Sequence, residues 1–318
     1  MPERTPALID FHSHYYETAW YTSSRQAPGG LARAWPLLTD LQGQFAEMER
    51  ANIGAKVLSA PSATIASAGQ PLPEDLLRRI NDRFAELLAL YPGRLFALAT
   101  IDAFRGEGAA NEVRRAIQTL GLQGICLDCA QGNLYLDAPQ ARPTFAAAAE
   151  LDVPVFVHPV SPAGLTERLA DLGHTGILLA RGTENAASVL ALLRSGLLDA
   201  FPTLKIVLPM IGVAALLFAG IAEQEHKREP GWLGSSPGTL RQRLYIDTMG
   251  FDLASLRFVL ELLGAEHVLL GSDWPIMPLT PRWEIEGLLS ALELKEAQKA
   301  AVLQANALRL LTRQKASR

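Results

Sequence analysis

The sequence predicts an α/β fold, a (β/α)₈ TIM barrel in a single domain, and three observations support this prediction. The first is length, which permits one large barrel but does not by itself choose it, because two domains would also fit 318 residues. The second is pattern: short apolar runs alternate with longer helical stretches, as in a parallel sheet that is covered on both faces. The third is number, because eight such units can be counted, as a closed barrel requires.

Eight apolar runs rich in β-branched residues are the candidate strands. In chain order they are ALIDF, AKVLSA, LFALAT, QGICLD, VPVFVH, LKIVLP, LYIDT and HVLLGSD, which begin at residues 7, 55, 95, 123, 153, 204, 244 and 267. A doubly wound open sheet is the alternative arrangement of such units. It favours a glycine-rich phosphate loop after the first strand, and HSHYYE stands there instead.

Helical stretches separate these runs. In PEDLLRRINDRFAELLALYPGR, apolar residues recur at three-to-four spacing before Pro and Gly end the pattern. The predicted helices cover residues 40–52, 73–90, 106–120, 138–151, 184–200, 213–224, 252–263 and 294–312. We therefore expect one domain over residues 1–318, with a core at 7–313, mouth loops at 18–39 and 159–182, and a frayed tail at 314–318.

Composition narrows the class of protein. Hydrophobic residues make up 49% of the chain, charged residues 19%, and the formal net charge is −4. This charge balance lacks the excess of basic residues that is typical of nucleic-acid-binding proteins. No apolar run is long enough for a membrane span, the N-terminus lacks the apolar core of a signal peptide, and two cysteines are too few for a disulfide framework. We expect a cytoplasmic protein that binds a small-molecule substrate, with a homodimer left open.

Four potential metal ligands are predicted at one end of the barrel. His12 and His14 follow the first strand, His158 ends the fifth and Asp273 ends the eighth. Barrel enzymes keep their chemistry at the carboxyl ends of the strands, and residues i and i+2 of an extended segment project to the same side. Imidazole nitrogens with a carboxylate oxygen suit zinc or a similar divalent ion. Metal-bound water would then lose a proton near neutral pH.

Five segments carry a resemblance to a known family: IDFHSHYYE, YLDAPQARPTFAAAAELDVPVFVHP, LLRSGLLDAFPTLKIVLP, LYIDTMGFDLASLRFVLELLG and VLLGSDWPIM. In this order, over nearly the whole chain, they resemble the amidohydrolase-related branch of the amidohydrolase superfamily, whose best-known members are aminocarboxymuconate-semialdehyde decarboxylase-like enzymes. The resemblance implies a TIM barrel with one metal ion, usually zinc or manganese. The family's ligands fall on His12, His14, His158 and Asp273.

Two features depart from the family pattern. Members usually carry a histidine at the end of strand six, as in IVLPHGGG, whereas this chain reads IVLPMIGV with Met210 in that place. A thioether is a poor ligand for such ions and cannot transfer a proton. Carboxylate-binding members also have an arginine before strand two, and LQGQFAEMERANIGAKVLS has no basic residue between Leu41 and Met48. Both departures weaken a literal transfer of the decarboxylase mechanism.

The catalytic groups expected at the mouth are Asp273, His158 and His174. His174 lies in the predicted loop after strand five and is the first candidate to replace the missing proton carrier. Arg25 and Arg181 lie in or beside the mouth loops. Either could replace the missing carboxylate clamp, since guanidinium binds carboxylate in bidentate fashion.

Several neighbouring residues complete the predicted pocket. Trp274 and Met210 are expected to line it. Cys126 and Cys129 are three residues apart in strand four, so they face opposite ways and are expected to be buried rather than metal-binding. Asp128, between them, could still face the pocket.

Hydrolysis of a small organic substrate by metal-activated water is the leading interpretation, and the substrate is expected to be a carboxylated aromatic or ring-cleavage-type compound. Non-oxidative decarboxylation of an aromatic or enoic carboxylate is the alternative. A catalytically silent binding barrel is a third interpretation, and the four intact ligands count against it. Fold resemblance alone does not decide between these reactions.

Overall fold

Eight parallel strands form one sheet, in chain order, in a computed structural model that describes residues 8–21, 33–66, 70–229, 234–235, 237–250 and 252–312. Hydrogen bonds from Phe11 N to Leu270 O and from Asp273 N to His12 O, both 2.8 Å, bring the last strand back to the first. The predicted (β/α)₈ barrel is confirmed. We number the strands β1 to β8: Ile9–His14, Ala55–Ser59, Leu95–Ile101, Gly124–Asp128, Pro154–His158, Lys205–Leu208, Leu244–Asp247 and Val268–Leu269.

Helices follow the strands and cover the outside of the barrel. The longer ones are α1 to α8: Leu41–Ala51, Glu74–Leu90, Glu107–Arg114, Arg142–Glu150, Gly173–Arg194, Ala214–Arg228, Leu253–Leu263 and Arg282–Ala291. A last helical run consists of Glu296–Ala300, the π-helical Ala301–Ala305 and Asn306–Leu311. Short helices occupy Trp35–Leu38, Ser62–Ile65, Leu165–Arg168, Leu197–Ala200 and Pro237–Arg243, and a small antiparallel hairpin pairs Ala130–Gln131 with Leu134–Tyr135.

Local sequence signals set the ends of these helices. The Asp40 side chain accepts a hydrogen bond of 2.9 Å from Gly43 N at the start of α1, and Asn52 ends this helix with a left-handed φ of 57°. Asp252 caps α7 in the same way through Ser255 N, at 2.8 Å. None of the described helices combines the length and the apolar character that crossing a membrane requires.

Side chains alternate along the strands between the barrel interior and the layer of helices. The helix-facing set belongs to a large apolar cluster, and the interior set forms a smaller one. The last helical run closes the interior at the amino-terminal end of the strands. The interior cluster contains Ile9, Phe11, Ala55, Val57, Leu98, Cys126, Phe156, Val207, Tyr245, Leu269, Ala307, Leu310 and Leu311.

Three element boundaries differ from the sequence prediction. β1 extends to His14, so both histidines lie inside the strand, and β8 ends at Leu269, four residues before Asp273. α5 begins at residue 173 rather than 184, so much of the predicted mouth loop is helical. Its glycines suggest a loop, but they permit close packing: a Cβ at Gly182 would lie 2.3 Å from Ile211 O. The tail at 314–318 lies outside the described residues.

Candidate metal centre

A one-residue bulge in β1 places the first two candidate ligands. Between Asp10 and Ser13, two β1 residues, Phe11 and His12, stand opposite the single Val57 of β2. The extra residue shifts the alternation by one position. As a result, the apolar side chains of Ile9 and Phe11 and the rings of His12 and His14 all face the barrel interior.

Three histidines come together at the carboxyl end of the barrel. One ring nitrogen from each of His12, His14 and His158 lies within 4.8 Å of the other two. The ring centroids of His12 and His14 are 5.1 Å apart, and those of His14 and His158 are 5.2 Å apart. All three are buried, and Phe156 lies edge-on to His12 at 4.8 Å between centroids. An apolar floor therefore supports a compact set of nitrogen donors.

Asp273 contacts two of these histidines. Its Oδ1 lies 2.9 Å from His14 Nε2 and 3.3 Å from His12 Nε2. The residue has a φ of 63°, in the left-handed region that side chains other than glycine rarely adopt. Its N–H donates to His12 O and its carbonyl accepts from Ile276 N and Met277 N, so the surrounding backbone holds this conformation.

Hydrogen bonds fix the orientation of the first two rings. His12 Nδ1 lies 2.6 Å from Asp247 Oδ2, and because a carboxylate only accepts, the ring donates. His14 Nδ1 lies 2.9 Å from Ser59 Oγ, whose hydroxyl donates to Ser13 O at 3.0 Å, so here too the ring donates. In the neutral form of each ring the proton therefore sits on Nδ1, and the Nε2 lone pair is left for a metal ion, as is usual for metal-binding histidines.

A second carboxylate joins the two ligand-bearing segments. Asp10 accepts from His12 N at 3.2 Å, from Ser272 N at 3.0 Å and from Ser272 Oγ at 2.6 Å. The sequence analysis did not identify Asp10, Asp247 and Ser59, whose side chains support the histidines. The signal was present for the last two, because each is the final residue of its strand and faces the same side as an interior apolar residue two positions earlier.

Burial and neighbouring charges set the proton affinities of the cluster. Burial alone would lower the pKa of His12, but the carboxylates of Asp247 and Asp273 outweigh it and raise this pKa to about 10. Burial, together with the positive charge of Arg181, holds the pKa of His158 well below its usual range. Burial would raise the pKa of Asp273, but the charge of His12 outweighs it and holds this pKa below its usual range.

The donor set fits a divalent metal ion. Three imidazole nitrogens and one carboxylate oxygen are ligands that zinc and related ions prefer. His12 Nε2 and His158 Nδ1 are buried and make no hydrogen bond with any residue that the structure describes. Buried polar atoms nearly always have a partner, and an ion would supply one for this cluster.

The other predicted site residues are more dispersed. Arg181 lies on α5, where its Nη2 donates to Pro159 O at 2.9 Å and its buried Nε has no hydrogen-bond partner in the described part of the chain. Trp274 is buried, and its indole N–H is likewise without a described partner. His174 is exposed on the first turn of α5, and no described contact joins it to the three histidines. Arg25 lies outside the described residues.

Met210 follows β6 and is buried. Val207 belongs to the interior cluster, whereas Leu208 and Met210 belong to the larger one, which also contains Tyr16 and Val160 after the carboxyl ends of β1 and β5. The N–H of Met210 donates to Asp247 Oδ1 at 2.9 Å. The backbone of this residue therefore supports the carboxylate that orients His12.

Two further features lie at the ends of β4 and β5. Burial raises the pKa of Asp128 to about 7, and its Oδ2 accepts from Ala63 N at 2.8 Å. A cavity of about 360 Å³ opens just beyond these strands, between the hairpin and the segment after β5. It is lined by Ala130, Gly132, Asn133, Tyr135, Val160, Ser161, Pro162, Ala163 and Glu184.

Comparisons with known proteins agree with this site. The amidohydrolase family model matches residues 9–313. The chain is 30% identical over 289 residues to gamma-resorcylate decarboxylase of Rhodococcus jostii (strain RHA1), covering 82% of this chain and 84% of the relative. It is 26% identical over 272 residues to 2-amino-3-carboxymuconate-6-semialdehyde decarboxylase of Dictyostelium discoideum, covering 83% and 74%.

A solved structure with a bound metal has the same fold. Dihydroxybenzoic acid decarboxylase from Polaromonas sp. JS666, with bound manganese and the inhibitor 2-nitroresorcinol, superposes with a TM-score of 0.80 at 26% identity. The alignment covers 96% of this chain and 97% of that one. A centre for a divalent metal ion is therefore supported by both the geometry and the comparison.

Proposed function

Because the chain belongs to the amidohydrolase family, we propose that it is a metal-dependent, non-oxidative decarboxylase of a carboxylated aromatic or enoic acid. It is an enzyme of the hydrolase or carboxy-lyase class, so the silent barrel is set aside. Hydrolysis led the sequence interpretation, but the relatives named above are decarboxylases, and they favour the alternative. The observation that carries the proposal is the buried cluster of His12, His14 and His158.

The metal ion is the first part of the proposal. His12, His14, His158 and Asp273 would hold one divalent ion, for which zinc is the expectation from the sequence and manganese is the ion in the solved relative. When bound, the ion would supply positive charge that holds and polarises an oxygen of the substrate. All other steps fall to side chains of the chain itself.

The reaction requires one bond to break and one to form. The bond between the substrate carbon and its carboxylate carbon breaks, carbon dioxide leaves, and the electron pair stays on the substrate carbon, which then takes one proton. Because the pKa of Asp273 is held below its usual range, its carboxylate carries no proton of its own. The proton comes from solvent, and we assign its transfer to the substrate carbon to Asp273. Its Oδ1 faces His14, whereas no described residue hydrogen-bonds Oδ2, which remains available to the substrate.

Arg181 is proposed to receive the carboxylate of the incoming acid. Its guanidinium is anchored on Pro159 O, next to His158, and its Nε has no described partner. A cation here would steer an anionic substrate toward the histidines and fix its orientation. This assignment compensates for the arginine that is missing before β2.

The test is a measurement of product and metal together. Purified protein is analysed for metal and then incubated without oxygen with gamma-resorcylate, and with benzoate as a control. We expect one carbon dioxide per product formed, loss of activity on chelation, and recovery with zinc or manganese. Release of no carbon dioxide from a panel of aromatic acids by fully metal-loaded protein would contradict the proposal. Incorporation of labelled oxygen from water into product would restore hydrolysis.

A further inference from the structure

Asp128 ends β4 beside the residue that ends β5. It is paired with His158 in the parallel ladder between these strands. Two residues earlier on each strand, Cys126 and Phe156 both pack in the barrel interior. Because residues i and i+2 of a strand face the same side, the side chains of Asp128 and His158 both point into the barrel mouth. A carboxylate therefore lies beside the histidine cluster without belonging to it.

One oxygen of this carboxylate is held and the other is not. Oδ2 accepts from Ala63 N at 2.8 Å, in the short helix that follows β2. Oδ1 is buried, and no residue that the structure describes hydrogen-bonds to it. The contact with Ala63 fixes the orientation of the carboxylate, so Oδ1 is presented in a defined direction. A buried acceptor of this kind requires a donor, and a ligand can provide it.

A donor of opposite charge, Arg181 on α5, acts on both Asp128 and His158. Arg181 donates to Pro159 O, and its Nε is buried without a hydrogen-bond partner among the described residues. No ion pair between Arg181 and Asp128 is found in the described part of the chain. A molecule that carries both an acceptor for the arginine and a donor for the aspartate would satisfy both groups at once.

We propose that Asp128 is a specificity-determining residue whose Oδ1 accepts a hydrogen bond from a hydroxyl or amino substituent of the substrate. This inference rests on the proposed function and deepens it. It selects acids that carry a hydrogen-bond donor in addition to the carboxylate that Arg181 receives. Acids without such a substituent leave Oδ1 unpaired and bind more weakly.

The experiment measures equilibrium binding of two inert compounds to the full-length, metal-loaded protein. It is run well above pH 7, where the carboxyl of Asp128, whose pKa is about 7, is ionised and Oδ1 accepts. One is 2-nitroresorcinol, which carries two hydroxyl donors, and the other is nitrobenzene, which carries none. In Asp128→Ala we expect the affinity for 2-nitroresorcinol to fall about 10- to 100-fold, the range for a hydrogen bond to a charged group. The affinity for nitrobenzene should change less than about twofold.

Two further variants keep the test decisive. Asp128→Asn preserves the shape of the side chain and carries the measurement if the alanine variant does not fold; it should lose about tenfold for 2-nitroresorcinol alone. Asp252→Asn is the control. This exposed carboxylate caps α7 through Ser255 N and is not among the groups that act on Asp128, so binding of both compounds should be unchanged.

The outcomes separate this inference from the proposed function. Equal losses for the two compounds, or no loss for either, would overturn the role of Asp128. A variant that still releases carbon dioxide with an unchanged preference for hydroxylated acids would overturn it while leaving decarboxylation intact. Wild-type protein that releases no carbon dioxide, yet binds 2-nitroresorcinol through Asp128, would support the inference and contradict the decarboxylase proposal.

Discussion

His12 and Asp247 are joined by a hydrogen bond of 2.6 Å between Nδ1 and Oδ2 that runs from β1 past β8 to β7. The other oxygen of Asp247 accepts from Met210 N at 2.9 Å and from Met249 N at 3.0 Å. The carboxylate is thus fixed by backbone on one side and orients a ligand on the other. Such partners raise the basicity of a metal-binding histidine and fix its tautomer.

Replacing Asp247 should therefore weaken metal binding. We expect Asp247→Asn to lower metal affinity about 10- to 100-fold, because the amide lacks the charge that supports His12. Competition with a chelator of known affinity measures the change. Asp252→Asn is the control, because that carboxylate caps α7 at an exposed position and should leave metal affinity unaltered. Equal metal affinity in Asp247→Asn and wild type would show that the hydrogen bond is dispensable.

Gly271 should not tolerate a side chain. A Cβ at this position would lie 2.7 Å from the Cβ of Asp247 and 2.9 Å from the Cβ of His12. We expect Gly271→Ala to reduce the metal content and to lower the free energy of unfolding by about 1–3 kcal/mol, as overpacking does. Metal analysis and urea unfolding report the two effects.

Gly287 provides the matched control for that substitution. It lies in α8 with nothing within 4 Å of an added Cβ. Gly287→Ala should leave the metal content unchanged and stabilise the protein by about 0.5–1 kcal/mol, because alanine is the better helix former. If both alanine variants behave alike, the crowding at Gly271 has no functional consequence.

Buried Lys56 should give the stability a specific pH dependence. It is fully buried on β2 in contact with Gln44 Oε1, and burial lowers its pKa to about 7 although the charge of Asp10 partly offsets the effect. Between about pH 7 and 10.5 the unfolded chain therefore binds a proton that the folded chain does not. Lys56 should therefore contribute a rise in the free energy of unfolding with pH across this window, by up to about 1.4 kcal/mol per unit. The raised pKa of His12 contributes a fall over much of the same window, so the Lys56 contribution is read from the difference between variants.

Lys56→Met should make the slope of the free energy of unfolding against pH more negative than that of wild type, by up to the Lys56 contribution. The measurement is urea unfolding between pH 7 and pH 9.5 in the presence of chelator, so that metal binding does not contribute. Lys227→Met, at an exposed position on α6, should retain the slope of the wild type. A slope in Lys56→Met that equals that of wild type would mean that Lys56 is charged in the folded protein above pH 7.

The strand-six position and the exposed histidine of α5 can be tested as a pair. We expect Met210→His to keep the metal and to change the rate with aromatic carboxylates, because a proton carrier typically contributes about 10²- to 10⁴-fold. His174→Ala measures whether His174 replaces that carrier. Full activity in His174→Ala would assign the proton to Asp273 alone. An unchanged rate and metal content in Met210→His would place residue 210 outside the site.

The barrel and the grouping of the three histidines could be predicted because their signals are local. Eight apolar runs, two histidines at i and i+2, and a histidine at a strand end can all be read from adjacent residues. The supporting carboxylates could not be predicted in this way. Asp247 is 235 residues from His12, and its role follows from the closure of the barrel, which no local pattern encodes.

Two boundary errors have a similar cause. β8 ends at Leu269, and Asp273, four residues later, takes a left-handed φ that the run HVLLGSD does not predict. α5 begins early because Gly176 and Gly182 fit against the backbone of neighbouring segments, and a glycine in a sequence reads as a helix breaker until its neighbours are known. In both places tertiary contacts outweigh the local preference.

The bulge in β1 allows one strand to meet two requirements, apolar packing in the barrel interior and the orientation of two histidines. Below it, Ile9 and Phe11 must fit a crowded apolar layer; above it, His12 and His14 must meet an ion. With strict alternation, Phe11 and His12 would face opposite sides of the sheet. One extra residue shifts the alternation by one position, so a single strand supplies both an apolar layer and two inward-facing histidines without a change of sheet.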